Sequence, residues 1–390
     1  MVACAPDSSD RDEPLGPVAL RPADEPVLSI GVVEGDGLYE FVRVTAAWKQ
    51  ANGRVVVLDP GKAALLFYDS NGVFLSRAGG RGQGPGEMQR LASGWPYRGD
   101  SIAVYDLMLR RVTIYDHNGV YARSFQNPIR YEREAGTMPS QSCCLVRGVF
   151  ADGSFVGHPP DDIPTGPGPE RFSTFTPWWI SPNGAETHPI GTFESALYRH
   201  DPSSRSGVRG YATSYYFRYA IVSDRLIGGN GFGPSLRSVR VVKNSSAGAI
   251  SVAFDTLPYP RKGEPFSADL QLAYERALRA DYEANRNRYE GTVESYIQPY
   301  PETTPACVNI TADADGHVWL ERWTPEYGRA VARLQYDLVT VNGAHIATVA
   351  LPSGSQLLWS GKGQVLLLQR DDMDVQYVRL YDLVTAPPSS

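Results

Sequence analysis

The chain of 390 residues is long enough for one large β domain or for two domains of ordinary size. Hydrophobic residues make up 42% of it, which predicts a sizeable core and excludes wholesale disorder. Its 37 basic and 43 acidic side chains give a net charge of −6, so we expect no nucleic-acid partner. The 38 glycines, 30 prolines and 22 tyrosines are typical of many turns that join short strands.

The first 24 residues contain a cysteine followed by a polar, acidic, proline-containing stretch, "MVACAPDSSDRDEP". The sequence around Cys4 resembles the lipobox of bacterial lipoproteins without its hydrophobic leader. The resemblance implies that Cys4 is lipidated, that residues 1–24 form a disordered tether, and that Ala5 directs the protein to the outer membrane. A cysteine without a special role in a disordered terminus is the alternative. Because no run of 18 apolar residues exists, any membrane association would depend on this anchor.

The sequence then repeats itself at an offset of 47 residues. "FYDSNGVF" at Phe67–Phe74 recurs as "IYDHNGVY" at Ile114–Tyr121, and each copy follows an apolar strand that ends in aspartate, at Asp59 and Asp106. Asn-Gly supplies the positive φ of a tight hairpin turn. Less perfect copies follow at residues 152–191, 223–255 and 315–349, and a last one ends near Leu383. Six such repeats predict six four-stranded propeller blades.

The register of the repeats leaves one strand without a blade of its own. "GQGPGEM" at Gly82–Met88 corresponds to "GDGLYEF" at Gly35–Phe41, which makes Val27–Val33 an outer strand. We expect this strand to complete the sixth blade, so that the propeller spans residues 25–384 and residues 385–390 form a tail. The glycine-rich stretch is then a crossing between blades, because its spacing fits neither a dinucleotide-binding loop nor a P-loop.

A helical pattern at Pro265–Tyr289 interrupts the repeats. Ser267 is a suitable N-cap, and one face carries an apolar stripe of Leu270, Tyr274, Leu278 and Tyr282. We therefore expect a helical insertion, within about residues 260–300, between blades 4 and 5. The stripe either packs against the propeller or docks a partner protein of the cell envelope.

The remaining cysteines have no zinc-site spacing. Cys143 and Cys144 could form a vicinal disulfide, one of them could pair with Cys307, or all three could be buried thiols.

The aspartate-ended strand, the "YDxNG" hairpin and the "GxGPGE" crossing together resemble the bacterial six-bladed β-propeller proteins related to NHL repeats, many of them lipoproteins. The resemblance covers roughly residues 25–384. It implies an all-β fold: a six-bladed β-propeller closed by an N-terminal strand, with a helical insertion between blades 4 and 5. We also expect a monomeric protein outside the cytoplasm, periplasmic or at the outer membrane. A shared fold says little about activity.

Four arginines are the candidate anion-binding residues. Arg43 and Arg90 align on the innermost strands of blades 1 and 2, and we place Arg147 and Arg218 on those of blades 3 and 4. They would suit a carboxylate or phosphorylated ligand. Nearby aromatic side chains could stack on sugars or peptides, namely Trp178, Trp179, Tyr215 and Tyr216. Alternatively, the arginines pair with blade carboxylates and the aromatic rings fill the core between blades.

The histidines do not fall at matching inner positions of different blades, as a propeller metalloenzyme would require. We therefore predict no metal, no cofactor and a non-enzymatic binding or scaffold propeller, whose glycan, peptide or protein ligand sits at the channel mouth. The alternative is a metal-dependent lyase or hydrolase in the central channel. The recurrent aspartates are expected to bond to backbone N–H groups rather than to act as acids or bases, and they are Asp59, Asp69, Asp106 and Asp116.

Overall fold

The computed structural model describes residues 17–130, 132, 135–139, 144–201, 208–210, 217–232, 235–243, 250–288, 292–297, 300–325 and 333–387. Two short strands precede the first blade, β1 (Val18–Pro22) and β2 (Leu28–Ile30). No helix among these residues is long and apolar enough to cross a membrane.

Blades 1 and 2 are four-stranded antiparallel sheets whose strands follow one another along the chain, as the 47-residue repeat predicts. Their second and third strands read as continuous apolar runs because each blade packs between two neighbours and buries both faces. The third hairpin turns at Gly72 and Gly119, which have φ of 83° and 84°. The eight strands are β3 (Ala46–Lys49), β4 (Val55–Asp59), β5 (Ala64–Tyr68), β6 (Phe74–Gly79), β7 (Leu91–Pro96), β8 (Ile102–Asp106), β9 (Arg111–Tyr115) and β10 (Tyr121–Gln126).

Blades 3 and 4 alternate along the chain with a separate five-stranded sheet that the sequence did not predict. Blade 3 is β12-β13-β16-β17, blade 4 is β20-β21-β22-β23, and the auxiliary sheet has the order β11-β14-β15-β18-β19. These strands are β11 (Thr137–Pro139), β12 (Leu145–Val149), β13 (Phe155–His158), β14 (Asp162–Pro164), β15 (Arg171–Phe175), β16 (Trp178–Ile180), β17 (Thr187–Pro189), β18 (Phe193–His200), β19 (Val208–Gly210), β20 (Arg218–Val222), β21 (Arg225–Gly229), β22 (Ser235–Lys243) and β23 (Ile250–Pro258).

The auxiliary sheet comes from three connections that leave the blades at the same edge. One runs from β10 to β12, one from β13 to β16 and one from β17 to β20. At this edge of the ring the chain crosses from each outer strand to the next innermost strand. The helical insertion also leaves from it.

The helical insertion lies between blades 4 and 5, as predicted. It contains α1 (Ala268–Ala284) and α2 (Glu294–Ile297), and the Ser267 hydroxyl accepts a hydrogen bond from the Leu270 N–H at 3.3 Å. The apolar stripe is a packing face, as the first of the two interpretations holds. Tyr274, Leu278 and Tyr282 are buried, whereas Leu270 is half-buried. The three pack against α2 and Trp323 in a cluster formed by Tyr274, Leu278, Tyr282, Val293, Ile297, Tyr300 and Trp323.

Blades 5 and 6 complete the ring, and the N-terminal strand closes it as expected. β2 pairs antiparallel with the last strand, Leu28 opposite Leu380 and Ile30 opposite Val378. The strands of these blades are β24 (Asn309–Ala312), β25 (Val318–Glu321), β26 (Arg333–Val339), β27 (His345–Pro352), β28 (Gln356–Gly361), β29 (Gln364–Arg370) and β30 (Gln376–Thr385).

The expectation of a disordered tether up to residue 24 is wrong for its last part. β1 lies parallel to β27, with Val18 opposite Ala347, and antiparallel to β30, with Leu20 opposite Thr385. β1 pairs with β27 over Val18–Leu20 and with β30 over Leu20–Pro22, so each half of the strand has a partner among the edges that these strands offer. The strand thereby joins blades 5 and 6 into a single nine-stranded sheet.

The recurrent aspartates bind backbone N–H groups, as expected. Asp59 is fully buried and accepts hydrogen bonds from the N–H groups of Val42 at 2.9 Å and Arg43 at 3.0 Å. It also accepts one from Gly61 at 2.9 Å, so it ties the incoming crossing to the next turn. Asp106 makes the equivalent bonds to Gln89, Arg90 and Leu109. Asp69 and Asp116 close the Asn-Gly turns in the same way.

The glycine-rich stretch is a crossing between blades, as predicted. The Glu87 carboxylate accepts a hydrogen bond from the Gly84 N–H at 2.8 Å, so this amide cannot serve a phosphate. The Arg111 guanidinium donates to the carbonyls of Gln83, Gly84 and Glu87. At Gly79, φ is 89° and a Cβ would lie 2.8 Å from Met88 Cε, so the close approach of the buried methionine requires glycine there.

Cys307 carries a free, buried thiol, and the proposed pairing with Cys143 or Cys144 is therefore wrong. Burial raises the pKa of this thiol to about 12, so it stays protonated at neutral pH. Cys144 is also buried. Cys143 and Cys4 lie outside the described residues, so the vicinal disulfide and the lipid anchor stay predictions.

Candidate functional site at the channel mouth

The innermost strands of all six blades surround a central cavity of about 410 Å³. Each of these strands pairs with one neighbour only and turns its other edge to the cavity, so the wall offers backbone N–H and C=O groups. The side chains around it are mostly small or aromatic. The lining segments are 46–48, 94–96, 147–149, 219–221, 310–314 and 358–359.

Arg147 lines this cavity from a β-bulge on β12. Val146 pairs with Gly157 and Gly148 with Val156, so Arg147 is the extra residue without a partner in the ladder. Bulges re-aim a side chain and are frequent beside functional sites. Gly148 lets Ile221 of blade 4 pack close to β12, since a Cβ there would lie 2.3 Å from Ile221 Cδ1. The Arg147 side chain is exposed and makes no hydrogen bond or ion pair with any described residue.

His158 and Tyr219 lie beside Arg147. The Nδ1 atom of His158 is 3.2 Å from the Tyr219 hydroxyl, and the centroid of its ring is 4.3 Å from that of Phe175. Burial, with help from the charges of Arg147 and Arg218, lowers the pKa of His158 to about 3. The imidazole is therefore neutral at physiological pH and adds no positive charge to the mouth.

Asp161 follows His158 by three residues and is 2% exposed. Burial raises the pKa of its carboxyl to about 6, although a hydrogen bond with Ser195 and the charge of Arg218 oppose the shift. The Ser195 hydroxyl accepts a hydrogen bond from the Phe217 N–H at 2.7 Å. Ser195 belongs to β18, so this chain of contacts links the auxiliary sheet to the first residues of blade 4.

Arg218 is the first residue of β20, the innermost strand of blade 4, which lies between blades 3 and 5. Its charge acts on His158 and Asp161 from one side and on Glu321 from the other. Burial raises the pKa of Glu321, while hydrogen bonds with Asn309 and Tyr336 and the charge of Arg218 lower it. The charge of Arg218 therefore acts on the carboxyl groups of Asp161 and Glu321. Arg147 makes no ion pair with any described carboxylate, although Asp313 lines the same cavity.

The structure brings together only two of the four predicted arginines. Arg43 and Arg90 are equivalent, since their N–H groups bind Asp59 and Asp106, but they precede β3 and β7 and do not lie on the innermost strands. The buried aspartates hold their backbone N–H groups at the crossing, and the Arg90 carbonyl accepts a hydrogen bond from the Leu107 N–H at 2.9 Å just before β7 begins. The expectation that all four lie on inner strands is wrong for this pair.

The tryptophans belong to the core between blades, and the alternative interpretation is the correct one for them. Trp179 is 1% exposed and packs between blades 3 and 4, while Trp178 packs against the cluster between blades 2 and 3. Trp179 therefore has no ring face for a ligand, whereas Trp178 is half-buried. Tyr215 and Tyr216 lie outside the described residues.

One cluster has the composition of a cation site, namely Asp313, Asp315 and His317 in the turn of blade 5. The Asp313 Oδ1 atom accepts hydrogen bonds from the N–H groups of Asp315 and His317, and its Oδ2 atom faces His317 Nδ1 at 3.0 Å and Trp319 Nε1 at 3.2 Å. This carboxylate closes its turn as Asp69 and Asp116 close theirs. A cation would compete with four protein donors for it.

Replacing Asp161 by asparagine is expected to stabilise the protein at pH 8. The pKa of Asp161 is about 6 in the folded protein and near 3.8 in the unfolded chain. The folded state is therefore fully stabilised by the protonated carboxyl below pH 3.8, and this contribution is lost as the pH rises through 6. The neutral amide avoids the loss, worth about 3 kcal/mol at most for two pKa units. Urea unfolding at pH 8 and pH 4 measures the gain, which should shrink at pH 4. Asp372→Asn, at an exposed position, is the control; an equal effect of both variants at both pH values would contradict the assignment.

Comparisons with known proteins agree with this fold. Residues 44–135 match a family model described as a 6-bladed beta-propeller. A member of the duf4221 family from Bacteroides vulgatus superposes with a TM-score of 0.50 at 12% identity, covering 94% of this chain and 99% of that chain. A Bacteroides fragilis protein described as exported gives 0.46 at 14% identity, covering 95% and 99%. A gluconolactonase from Xanthomonas campestris gives 0.41 at 12% identity, covering 95% and 99%.

No curated protein matches the sequence. At these identities the structural likenesses concern the fold alone. The resemblance to six-bladed propeller proteins, expected from the repeat motifs, is confirmed: the chain is a six-bladed β-propeller.

Proposed function

We propose that the protein is a non-enzymatic binding propeller outside the cytoplasm, and that it holds an anionic group of a glycan, peptide or protein at the channel mouth. The observation that supports this most directly is Arg147. A guanidinium that lines a cavity and lacks a carboxylate partner among the described residues is a ready site for an anion. Its neighbours His158 and Tyr219 are neutral, so they do not neutralise it.

The function is tested by removing this guanidinium. Saccharides and N-acetyl peptides with a free carboxylate are titrated by calorimetry, beside the same compounds as amides. We expect carboxylates to bind and amides not to bind. Arg147→Ala should weaken carboxylate binding about 10–100-fold, the loss of one to two charge-assisted hydrogen bonds.

Arg237→Ala is the matched control, because Arg237 is exposed on the third strand of blade 4, away from the channel. Equal binding by both variants would overturn the role of Arg147. Conversion of a bound compound into a product would instead favour the lyase or hydrolase alternative.

We also infer that Cys4 is lipidated and holds the propeller at the outer membrane, which rests on the sequence around that cysteine. A fatty-acid probe fed to cells that express the full-length precursor should label the wild type and not Cys4→Ser. A precursor without label would contradict the anchor.

A further inference from the structure

We propose that the anionic ligand is a monosaccharide acid, such as a uronate, whose carboxylate binds Arg147 and whose hydroxyl groups bind the inner strand edges. This inference rests on the proposed function of the channel mouth. It names the chemical class of the ligand, which the arginine alone does not determine.

The wall of the cavity is the first argument. Each blade has an inner edge strand with one neighbour, and the other edge of that strand presents N–H and C=O groups toward the centre. These edge strands are β3, β7, β12, β20, β24 and β28. An apolar ligand would cover these groups without replacing their hydrogen bonds to water, which is costly. A ligand bound in this cavity must therefore offer both donors and acceptors.

The direction of these groups is the second argument. The six edges surround the cavity on all sides, whereas an extended peptide presents its backbone groups in two opposite directions only. A sugar ring carries hydroxyls around its whole perimeter, and each hydroxyl both donates and accepts. The cavity of about 410 Å³ is in the lower part of the range of known small-molecule sites, large enough for one sugar ring with bridging waters.

The charges and rings in the lining agree with this class. Among the described lining residues, the charged side chains are Arg147 and Asp313. The Asp313 carboxylate already binds the N–H groups of Asp315 and His317 and faces two ring nitrogens, which leaves Arg147 as the cation for a ligand carboxylate. Trp95, Trp359 and Tyr219 also line it. Trp95 and Trp359 are half-buried against the clusters between blades, and the exposed part of each ring offers apolar surface to the C–H face of a sugar. The Tyr219 ring is stacked on Phe175 and His158, so its hydroxyl and not its face is the group available to a ligand.

The experiment compares four probes on the full chain: glucuronate, glucose, butyrate and N-acetyl-alanine. Binding is measured by calorimetry and by tryptophan fluorescence, which should change because Trp95 and Trp359 line the cavity. We expect glucuronate to bind at least 10-fold more tightly than each of the other three. Arg147→Ala should reduce glucuronate to the affinity of glucose, and Arg147→Lys, which keeps the charge without the bidentate geometry, should lie between.

The outcomes separate this inference from the proposed function. If butyrate or N-acetyl-alanine binds as tightly as glucuronate, and Arg147→Ala abolishes both, the mouth binds carboxylates but the sugar class is wrong. If glucose binds as tightly as glucuronate, the carboxylate does not select the ligand and this inference fails. If no carboxylate binds, both proposals fail.

Discussion

Replacing Ile30 by alanine is expected to lower the free energy of unfolding by about 3 kcal/mol, the usual loss for a buried isoleucine. Ile30 is 1% exposed and belongs to the strand that closes the ring. It packs in one cluster with Val55 of blade 1 and Val378 of blade 6, so the truncation leaves a cavity at the junction of the chain ends. Chemical denaturation monitored by far-ultraviolet circular dichroism measures the loss.

Val27→Ala is the matched control, because Val27 lies three residues earlier and is 58% exposed. Its effect should stay within about 0.5 kcal/mol, as for most surface substitutions. If the two variants unfolded at the same denaturant concentration, the closing strand would not contribute to the stability of the ring.

Replacing Asp59 by alanine is expected to cost about 3 kcal/mol. The carboxylate accepts hydrogen bonds from the N–H groups of Val42, Arg43 and Gly61. A hydrogen bond to a charged group contributes about 1.5–3 kcal/mol. We expect the loss of about one such bond and not the sum of three, because Val42 and Arg43 are exposed and water can reach their N–H groups in the variant. These bonds hold the crossing into blade 1 against the turn after β4. Alanine leaves three N–H groups beside a new cavity.

Asp69→Ala provides the comparison within the same blade. Asp69 also accepts hydrogen bonds from two backbone N–H groups, at 2.8 Å each, but it closes an exposed hairpin where water can replace it. We expect a loss of about 1 kcal/mol. Equal losses for Asp59→Ala and Asp69→Ala would show that the crossing does not depend on Asp59.

The blade framework was predictable because local residues determine it. The Asn-Gly turns and the aspartates recur at 47 residues, and each has a backbone task that the structure confirms. The closing strand was predicted from the register of the repeats alone. The auxiliary sheet was not predicted, because its strands come from long connections between blade strands that do not follow the repeat. These strands pair with one another rather than with a blade.

The site was predictable only in part. Arg147 was identified by counting along the strand, but the β-bulge that leaves it unpaired is invisible in the sequence. His158, Asp161 and Glu321 were missed as members of the mouth, since their proximity to Arg218 depends on how three blades meet. The one available signal was positional: Glu321 lies at the end of a second strand, as do Asp59 and Asp106.

The strand β1 makes the joints of the ring unequal. Among the described residues no other pair of neighbouring blades shares a strand, whereas β1 continues the backbone ladder from β27 to β30 across the joint of blades 5 and 6. Separating that joint means breaking main-chain hydrogen bonds on one side of β1 as well as side-chain packing. The place where the two chain ends meet is therefore held by main-chain pairing as well as by side-chain packing.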